Sequence, residues 1–335
     1  MAKLSILLPF RNAQDTLHQA LNSVLQQTFV HFDLIAINDN SHDESVEIIE
    51  SFNDVRIRLL HNPGNGLVDA LNFGLDHAKS GWIGRMDADD IMHTSKLEKQ
   101  WAYLQDNSAV DILACGSRLF PEHAITDGFA EYMRWQNNIN THTDFMNQMY
   151  VEMPLTNPTA IFRKQIFTDI GPYKKGEVPE DYEFWLRALH AGYRFEKLPD
   201  ILFDWRESPR RYTRTAPACS REAFDRTRAE YLASDSRLRT ERPIVYWGAG
   251  RKTRKRAGLL IQKGFPATAW IDIDPGKIGN RIAGVPVHAP QWLKKQHKNK
   301  PFVLVYVNNH GARDQIGEWL ENHDYHIGTD YLPVG

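Results

Sequence analysis

The stretch Gly81-Trp-Ile-Gly-Arg-Met-Asp-Ala-Asp-Asp90 decides the reading of this chain. An apolar run turns abruptly acidic, as a buried strand does when it ends in carboxylates. Three acids within four residues repel one another unless a cation neutralises them. Hard divalent ions take oxygen ligands, and Mg²⁺ or Mn²⁺ commonly bridges one or two carboxylates to phosphate oxygens. The plain alternative is an acidic helix start, because carboxylates favour the positive end of the helix dipole. Both readings fit this stretch taken alone.

Outward from that strand the first hundred residues alternate strand and helix. Leu4–Pro9 is an apolar run closed by proline, and Leu17, Leu21, Val24 and Leu25 recur at helical spacing. Phe32–Ile37 is a second strand, and Ser41-His-Asp-Glu44 reads as a capping box opening a helix with Val46, Ile49 and Phe52. Arg56–Leu60 is a third strand, followed by a helix that Asn65 can cap. Repeated strand–helix units predict an α/β fold with a mostly parallel sheet and helices on both faces. Ligands of such sheets sit at the carboxyl ends of the strands, where Asp39 and Asp87 both fall. A second α/β unit starts near Arg242, with strands expected at 243–247, 267–273 and 301–307 and helices at 252–262 and 314–322.

The length of 335 residues leaves room for about two domains. A 42% hydrophobic, 24% charged composition excludes collagen-like, low-complexity and disordered classes. The longest apolar runs fall far short of the ~20 residues that span a bilayer. The N-terminus shows no apolar signal region, and Cys115 and Cys219 have neither metal nor paired spacing, which suits a reducing compartment and a cytoplasmic protein. The net charge of −2 conceals an asymmetry: residues 206–256 hold fifteen Lys/Arg against six Asp/Glu, a local +9. This stretch is either a solvated helical face or an anion-attracting surface, including peripheral contact with the inner face of a membrane. It lacks a nucleic-acid recognition motif, so nucleic acid is not expected as a partner.

The ordered set Leu8-Pro-Phe-Arg-Asn12, Asn38-Asp-Asn-Ser-His-Asp43, the helix Gly66–Gly74 and Arg85-Met-Asp-Ala-Asp-Asp90 resembles glycosyltransferase family 2 with the GT-A fold. Asn157-Pro-Thr-Ala-Ile-Phe-Arg163 and Pro179-Glu-Asp-Tyr-Glu-Phe-Trp-Leu-Arg187 are similar to its acceptor-side segments, so the resemblance covers roughly residues 3–215. It implies that Pro9 and Asn12 lie against the nucleotide base and that Asp39 accepts a hydrogen bond from uracil. It implies further that Asp87 faces ribose, that Asp89 with Asp87 binds a Mg or Mn divalent cation at the diphosphate, and that Asp181 beside Glu180 is the catalytic base. Such chemistry needs a cation for the departing diphosphate and a carboxylate for the acceptor proton. One base without a carboxylate nucleophile corresponds to a single in-line displacement, which inverts the anomeric centre. From the residues alone, Glu180-Asp181 reads first as an acidic helix start, and Arg85 is either a salt-bridge partner of the acids or a substrate ligand. Two departures from the family pattern are Ser208 and Asn157, each where a histidine is common.

Gly248-Ala-Gly-Arg-Lys-Thr253 departs from the dinucleotide fingerprint at Thr253, although Asp272 follows at the expected distance. With Gly279–Val287 it resembles small Rossmann-like domains of bacterial sugar-modifying proteins. Gly248, Gly250 and Asp272 then bind a nucleotide or phosphate, or else serve structure or partner docking. His310, His323 and His326 read as surface residues. The expected organisation is a GT-A domain at 1–218, a helical connector at 219–241 and a Rossmann-like domain at 242–335. The leading functional expectation is an inverting glycosyltransferase moving a sugar from a nucleotide-sugar donor, a UDP-sugar, to a saccharide or lipid-linked acceptor in surface polysaccharide or glycolipid synthesis. Loops such as 120–150 would choose the substrates. The alternatives are a nicotinamide-dependent sugar-nucleotide oxidoreductase centred on Gly248–Gly250 and a non-catalytic nucleotide-sugar-binding protein.

Overall fold

The computed structural model describes residues 2–335 apart from 210, 212, 213, 215, 297, 298, 309 and 310, so His310 lies outside the described residues. The chain divides into two units, Met1–Phe145 with Leu155–Ala218, and Met146–Pro154 with Cys219–Gly335.

The first unit is built on strands β1 (Leu4–Phe10), β2 (Phe32–Asn38), β3 (Ile57–His61), β4 (Trp82–Arg85), β5 (Ile91–Met92), β6 (Ile112–Phe120), β7 (Ile161–Arg163) and β8 (Phe195–Arg206). Their order in the sheet is β3-β2-β1-β4-β7-β6-β8-β5. The half β3-β2-β1-β4 is parallel throughout, β7 runs antiparallel to both its neighbours, and β6 and β8 are parallel. Side-chain alternation along β1 shows why helices cover both faces. Leu4, Ile6 and Leu8 share a core with Leu17, Ala20, Leu21 and Val24 of the Leu17–Leu25 helix. The intervening Leu7 points the other way, toward the Leu67–His77 helix. There a Cβ on Gly74 would stand 2.9 Å from Ile37 and 3.2 Å from Leu7, so glycine lets that helix lie close on the sheet.

Proline inside a central strand removes a ladder donor and is normally confined to sheet edges. Pro9 is accommodated because pairing of β1 with β4 stops at Leu7, while pairing with β2 runs on to Phe10. Met86 N–H donates to Leu7 O on the β4 side and Asp39 N–H to Phe10 O on the β2 side, so Pro9 turns its missing N–H toward the edge that β4 has left. Past Leu7, β1 and β4 are no longer paired, and the strand ends part.

Two local expectations are corrected. Ser41-His-Asp-Glu44 does not cap a helix: the helix is Ser45–Ser51, its first flanking residue is Glu44, and no side chain caps it. The segment instead binds the loop after β1, with Asn12 N–H donating to Ser41 Oγ, His42 N–H to Asn12 Oδ1 and Gln14 N–H to Asp43 Oδ2. Asn65 does not cap the next helix either; Gly66 precedes it at φ 95°. The 120–150 region holds two helices, Asp127–Asn137 and His142–Gln148.

The second unit has strands β9 (Ile244–Trp247), β10 (Ala269–Ile271), β11 (Arg281–Ile282), β12 (Val285–His288), β13 (Phe302–Val305) and β14 (Tyr331–Pro333), in the order β11-β12-β10-β9-β13-β14. All pairings but β11–β12 are parallel, so this is a Rossmann-like sheet whose order reverses between β9 and β13. Val245, Trp247, Ile271, Val303 and Leu320 centre its core. The Arg221–Ser234 helix lies within this unit and is joined to the Arg251–Ile261 helix through Lys255–Glu222 and Lys263–Glu230 ion pairs. The Met146–Pro154 segment is tied to the same unit by Tyr150, whose hydroxyl donates to Asp235 at 2.8 Å and whose carbonyl accepts from Gly335 N–H.

Candidate active site

The carboxyl ends of β1, β2 and β4 share one edge of the first sheet, and each delivers residues singled out in the sequence. Asp39 follows β2 and is buried. Its carboxylate accepts from Asn62 Nδ2 at 2.7 Å and from Gly66 N–H at 2.9 Å, and Arg11 lies 3.7 Å away. Arg11 is itself held by Asn65 Oδ1. Pro9 and Asn12 sit beside this acid, Asn12 at φ 49° in the left-handed region that asparagine tolerates.

The acidic run after β4 is pinned through its backbone. Thr16 Oγ donates to Ala88 O at 2.9 Å, and Arg206 Nε donates to Asp89 O at 2.6 Å. Asp90 is fully buried; its Oδ1 accepts Arg206 N–H at 2.7 Å while its Oδ2 has no hydrogen-bond partner. Burial first, then the neighbouring carboxylates of Asp89 and Asp87, push the Asp90 pKa well up. The same two causes, burial and Asp87, raise Asp89 to about 6, against the pull of Arg211 and Arg206. Ser208 places its carbonyl on Arg211 N–H at 3.2 Å.

Arg85 is a salt-bridge partner of the strand-end acids, one of the two roles the sequence left open. It is 7% exposed, and its Nε donates to Asp87 Oδ1 at 2.9 Å. Its Nη1 is buried without a partner. Burial alone would lower its pKa, but Asp87, Glu180 and Asp181 reverse that and hold it charged. Arg85 is therefore the shared cation that brings the strand-end acid and the Glu180–Asp181 pair into one electrostatic cluster.

Glu180 and Asp181 open the Glu180–His190 helix, where the dipole favours acids, so the plain reading of the pair is geometrically correct as well. Glu180 is 4% exposed; burial, and next the Asp181 charge, push it up to about 8. Burial, the largest cause, also pushes Asp181 upward, and Arg85 opposes it. Its Oδ1 accepts Tyr182 N–H at 2.6 Å. The two carboxyls titrate together as a pair. Asn157 accepts from the Trp185 indole at 3.0 Å, which anchors the buried face of this helix.

Arg11, Asn62 and Gly66 around Asp39, and Arg206 and Arg211 around Asp89, were not anticipated. The Gly64-Asn-Gly66 sequence was the available signal for Gly66; nothing local marks Arg206 as a partner of residues more than a hundred positions away. Much of the 206–256 basic stretch is consumed internally, in pairs such as Arg228–Asp225, Arg237–Asp235 and Arg242–Asp330. Gly248, Gly250 and Asp272 lie in the second unit. His323 and His326 are held by the Trp319 carbonyl and Glu321.

The donor set can be tested for a cation. Among the described residues no cluster of three His, Cys, Asp or Glu side chains is arranged to hold a metal. The raised Asp89, the buried Asp90 Oδ2 without a partner, and Asp87 nonetheless leave carboxylate oxygen in excess. One or two carboxylates completed by phosphate oxygens and water suit Mg²⁺ or Mn²⁺, so the residues fit such an ion.

A family model described as Glycosyl transferase family 2 matches residues 5–171, a span that holds Asp39, Asp87 and Asp89 and ends before Glu180. The bifunctional glycosyltransferase pgtA of Dictyostelium discoideum is 32% identical over 51% of this chain and 26% of its own length. An uncharacterized glycosyltransferase of Haemophilus influenzae is 28% identical over 61% of this chain and 65% of its own. The amylovoran biosynthesis glycosyltransferase AmsE of Erwinia amylovora is 28% identical over 59% of this chain and 74% of its own. The chain thus spans about a quarter of the first relative and about two thirds of the second. Among solved structures, S. aureus TarS 1–349 in complex with UDP-GlcNAc aligns with a TM-score of 0.54 at 17% identity, over 78% of this chain and 72% of that one. Mannosyltransferase PcManGT from Pyrobaculum calidifontis, in complex with GDP-Man and Mn²⁺, aligns at 0.51 and 17%, over 69% and 62%. At these identities the structures show a common GT-A fold. No helix among the described residues is long and apolar enough to cross a membrane.

Proposed function

Residues 5–171 belong to glycosyl transferase family 2, and from that membership we propose that the protein is an inverting glycosyltransferase acting on a nucleotide-sugar, a UDP-sugar, in surface polysaccharide or glycolipid synthesis. The observation that carries the reading is Arg85, which places the Asp87 strand end and the Glu180–Asp181 helix start in one charge cluster. Asp39, with Pro9 and Asn12 beside it, is assigned to the base, and Asp87 to the ribose. Asp89, with Asp87, would hold Mg²⁺ or Mn²⁺. A divalent cation there would take up charge developing on the departing diphosphate.

The rest of the chemistry belongs to the chain. Asp181 accepts the proton of an acceptor hydroxyl; that oxygen bonds to the anomeric carbon as the bond to the diphosphate breaks, and the electron pair leaves with the diphosphate. Glu180, its carboxyl pushed up by burial, orients the loop or holds an acceptor hydroxyl. Arg85 keeps Asp181 ionised. A saccharide or lipid-linked acceptor enters on the Glu180 side, and contact with an anionic membrane runs through the exposed remainder of the 206–256 stretch. AmsE, named for amylovoran biosynthesis, supports the polysaccharide assignment. The test is incubation of the full chain with a panel of nucleotide-sugars and Mn²⁺, following release of the nucleoside diphosphate. Release by wild type and its loss in Asp89→Ala support the reading. Binding without release from any donor would favour the non-catalytic alternative.

A further inference from the structure

We propose that the second unit carries a nucleoside diphosphate site of its own, in the cavity at the carboxyl ends of β9 and β13. Strand order reverses there, and open α/β sheets bind ligands at that point. The cavity measures about 980 Å³, at the upper end of the ~300–1,000 Å³ of small-molecule sites.

One end of it suits phosphate. Gly250 borders the cavity and immediately precedes the Arg251–Ile261 helix, which has no side-chain cap and no acid in its first turn. Arg251 and Lys252 occupy that turn, like-signed with the helix dipole, and an anion relieves both. Arg256 lines the same cavity, and its buried Nε has no hydrogen-bond partner. The two glycines of the turn differ. Gly248 is required by the backbone, at φ 113°, with Thr253 only 2.9 Å from a would-be Cβ. Gly250 has φ −70°, open to any residue, and a Cβ there would meet nothing within 4 Å. Neither backbone nor packing asks for glycine at 250; a phosphate approaching the helix start does.

Apolar parts of the lining suit a flat ring. Ile316 and Trp319 line the cavity, and so does Ile273, 74% exposed, an apolar side chain in water that a base would cover. Asp272, the ribose-binding acid of the dinucleotide fingerprint, is already used. It accepts from Ala249 N–H at 2.8 Å, Asp274 N–H at 2.9 Å and Lys277 Nζ at 3.2 Å. That acid shapes the turn rather than reading a ribose, so the ligand, a nucleoside diphosphate, is assigned to be held through its phosphates and its base.

Titration calorimetry of the full chain with ADP, UDP and inorganic pyrophosphate tests this. Gly250→Asp places an ordinary helix-capping residue where the phosphate would lie. It is expected to melt at or above the wild-type temperature and to lose one saturable ADP-binding component by about tenfold or more, the loss of a charge-assisted hydrogen bond. Gly250→Ala, which keeps the N–H donors, should lose less, and Lys252→Ala gives a second reading should the aspartate variant unfold. Undiminished ADP binding in folded Gly250→Asp, or no saturable ADP binding by wild type, would overturn the proposal. Pyrophosphate binding as tightly as ADP would overturn its base-reading half.

Discussion

Replacing Arg85 with methionine removes the buried cation shared by Asp87, Glu180 and Asp181 while keeping much of its volume. The guanidinium lies 2.9 Å from Asp87, and two unit charges about 4 Å apart at an effective dielectric of about 20 interact by about 4 kcal/mol. Breaking a buried pair by deleting one partner costs about 3–5 kcal/mol. The Asp87 side chain is 28% exposed, so water takes up part of its stranded charge and the lower end, about 3 kcal/mol, is expected at pH 8. The sign with pH follows from the two helix-start carboxyls. Arg85 lowers both from where burial alone would put them, so without it both rise further above their unfolded values. A raised carboxyl favours the folded state when protonated, and that support is lost as pH rises. The loss in Arg85→Met should therefore grow from pH 5 to pH 8, by up to about 1.4 kcal/mol per proton and pH unit. Hydrogen–deuterium exchange in urea, read on peptides covering β1 and β4, reports the first unit directly. A destabilisation below about 1 kcal/mol at pH 8, or one independent of pH, would refute the idea that Arg85 holds the cluster together.

Asp181→Asn keeps the shape and removes the proton acceptor, so kcat should fall by about 10²–10⁴ with UDP affinity nearly unchanged; wild-type turnover would move the base elsewhere. Glu180→Gln should cost less activity. Its folded pKa of about 8 makes the wild-type protein lose stability as pH rises from 4.5 toward 8, so the variant should gain on wild type over that window in urea melts, and a constant difference would argue against the shift. UDP binding measured by calorimetry should need Mn²⁺ and Asp89, and equal affinity of Asp89→Ala in the presence of metal would remove the cation from the site. Gly66→Ala places a Cβ at φ 95°, at a cost of about 1–3 kcal/mol, and displaces the N–H that holds Asp39. It should weaken UDP binding more than Gly81→Ala, which has ordinary backbone and open space.

The sequence by itself determined the elements whose signal is local. Apolar runs such as Leu4–Pro9 and Phe32–Ile37 read as buried strands, and their alternation with amphipathic helices implies a parallel sheet with acids gathered at its carboxyl edge. Asp39, Asp87 and Asp89 were legible for that reason, since strand direction alone carries them to the same edge. Short polar segments were misread because their partners lie elsewhere in the chain. Ser41 and Asp43 had the spacing of a helix cap, yet the backbone N–H groups of Asn12 and Gln14 reached them first. Tertiary structure alone decided which charges meet. Arg85 could have faced solvent, substrate or acid; burial forced it onto Asp87 and drew in Glu180 and Asp181 from the other end of the unit. Desolvation, which no sequence pattern states, then pushed the carboxyls of both Glu180 and Asp181 upward. Folding also set Asp272 on the Ala249 N–H, where its spacing had promised a ribose. Charge and hydrogen-bond partners are settled by what lies near in space, and only folding brings residue 181 into the field of residues 85 and 87.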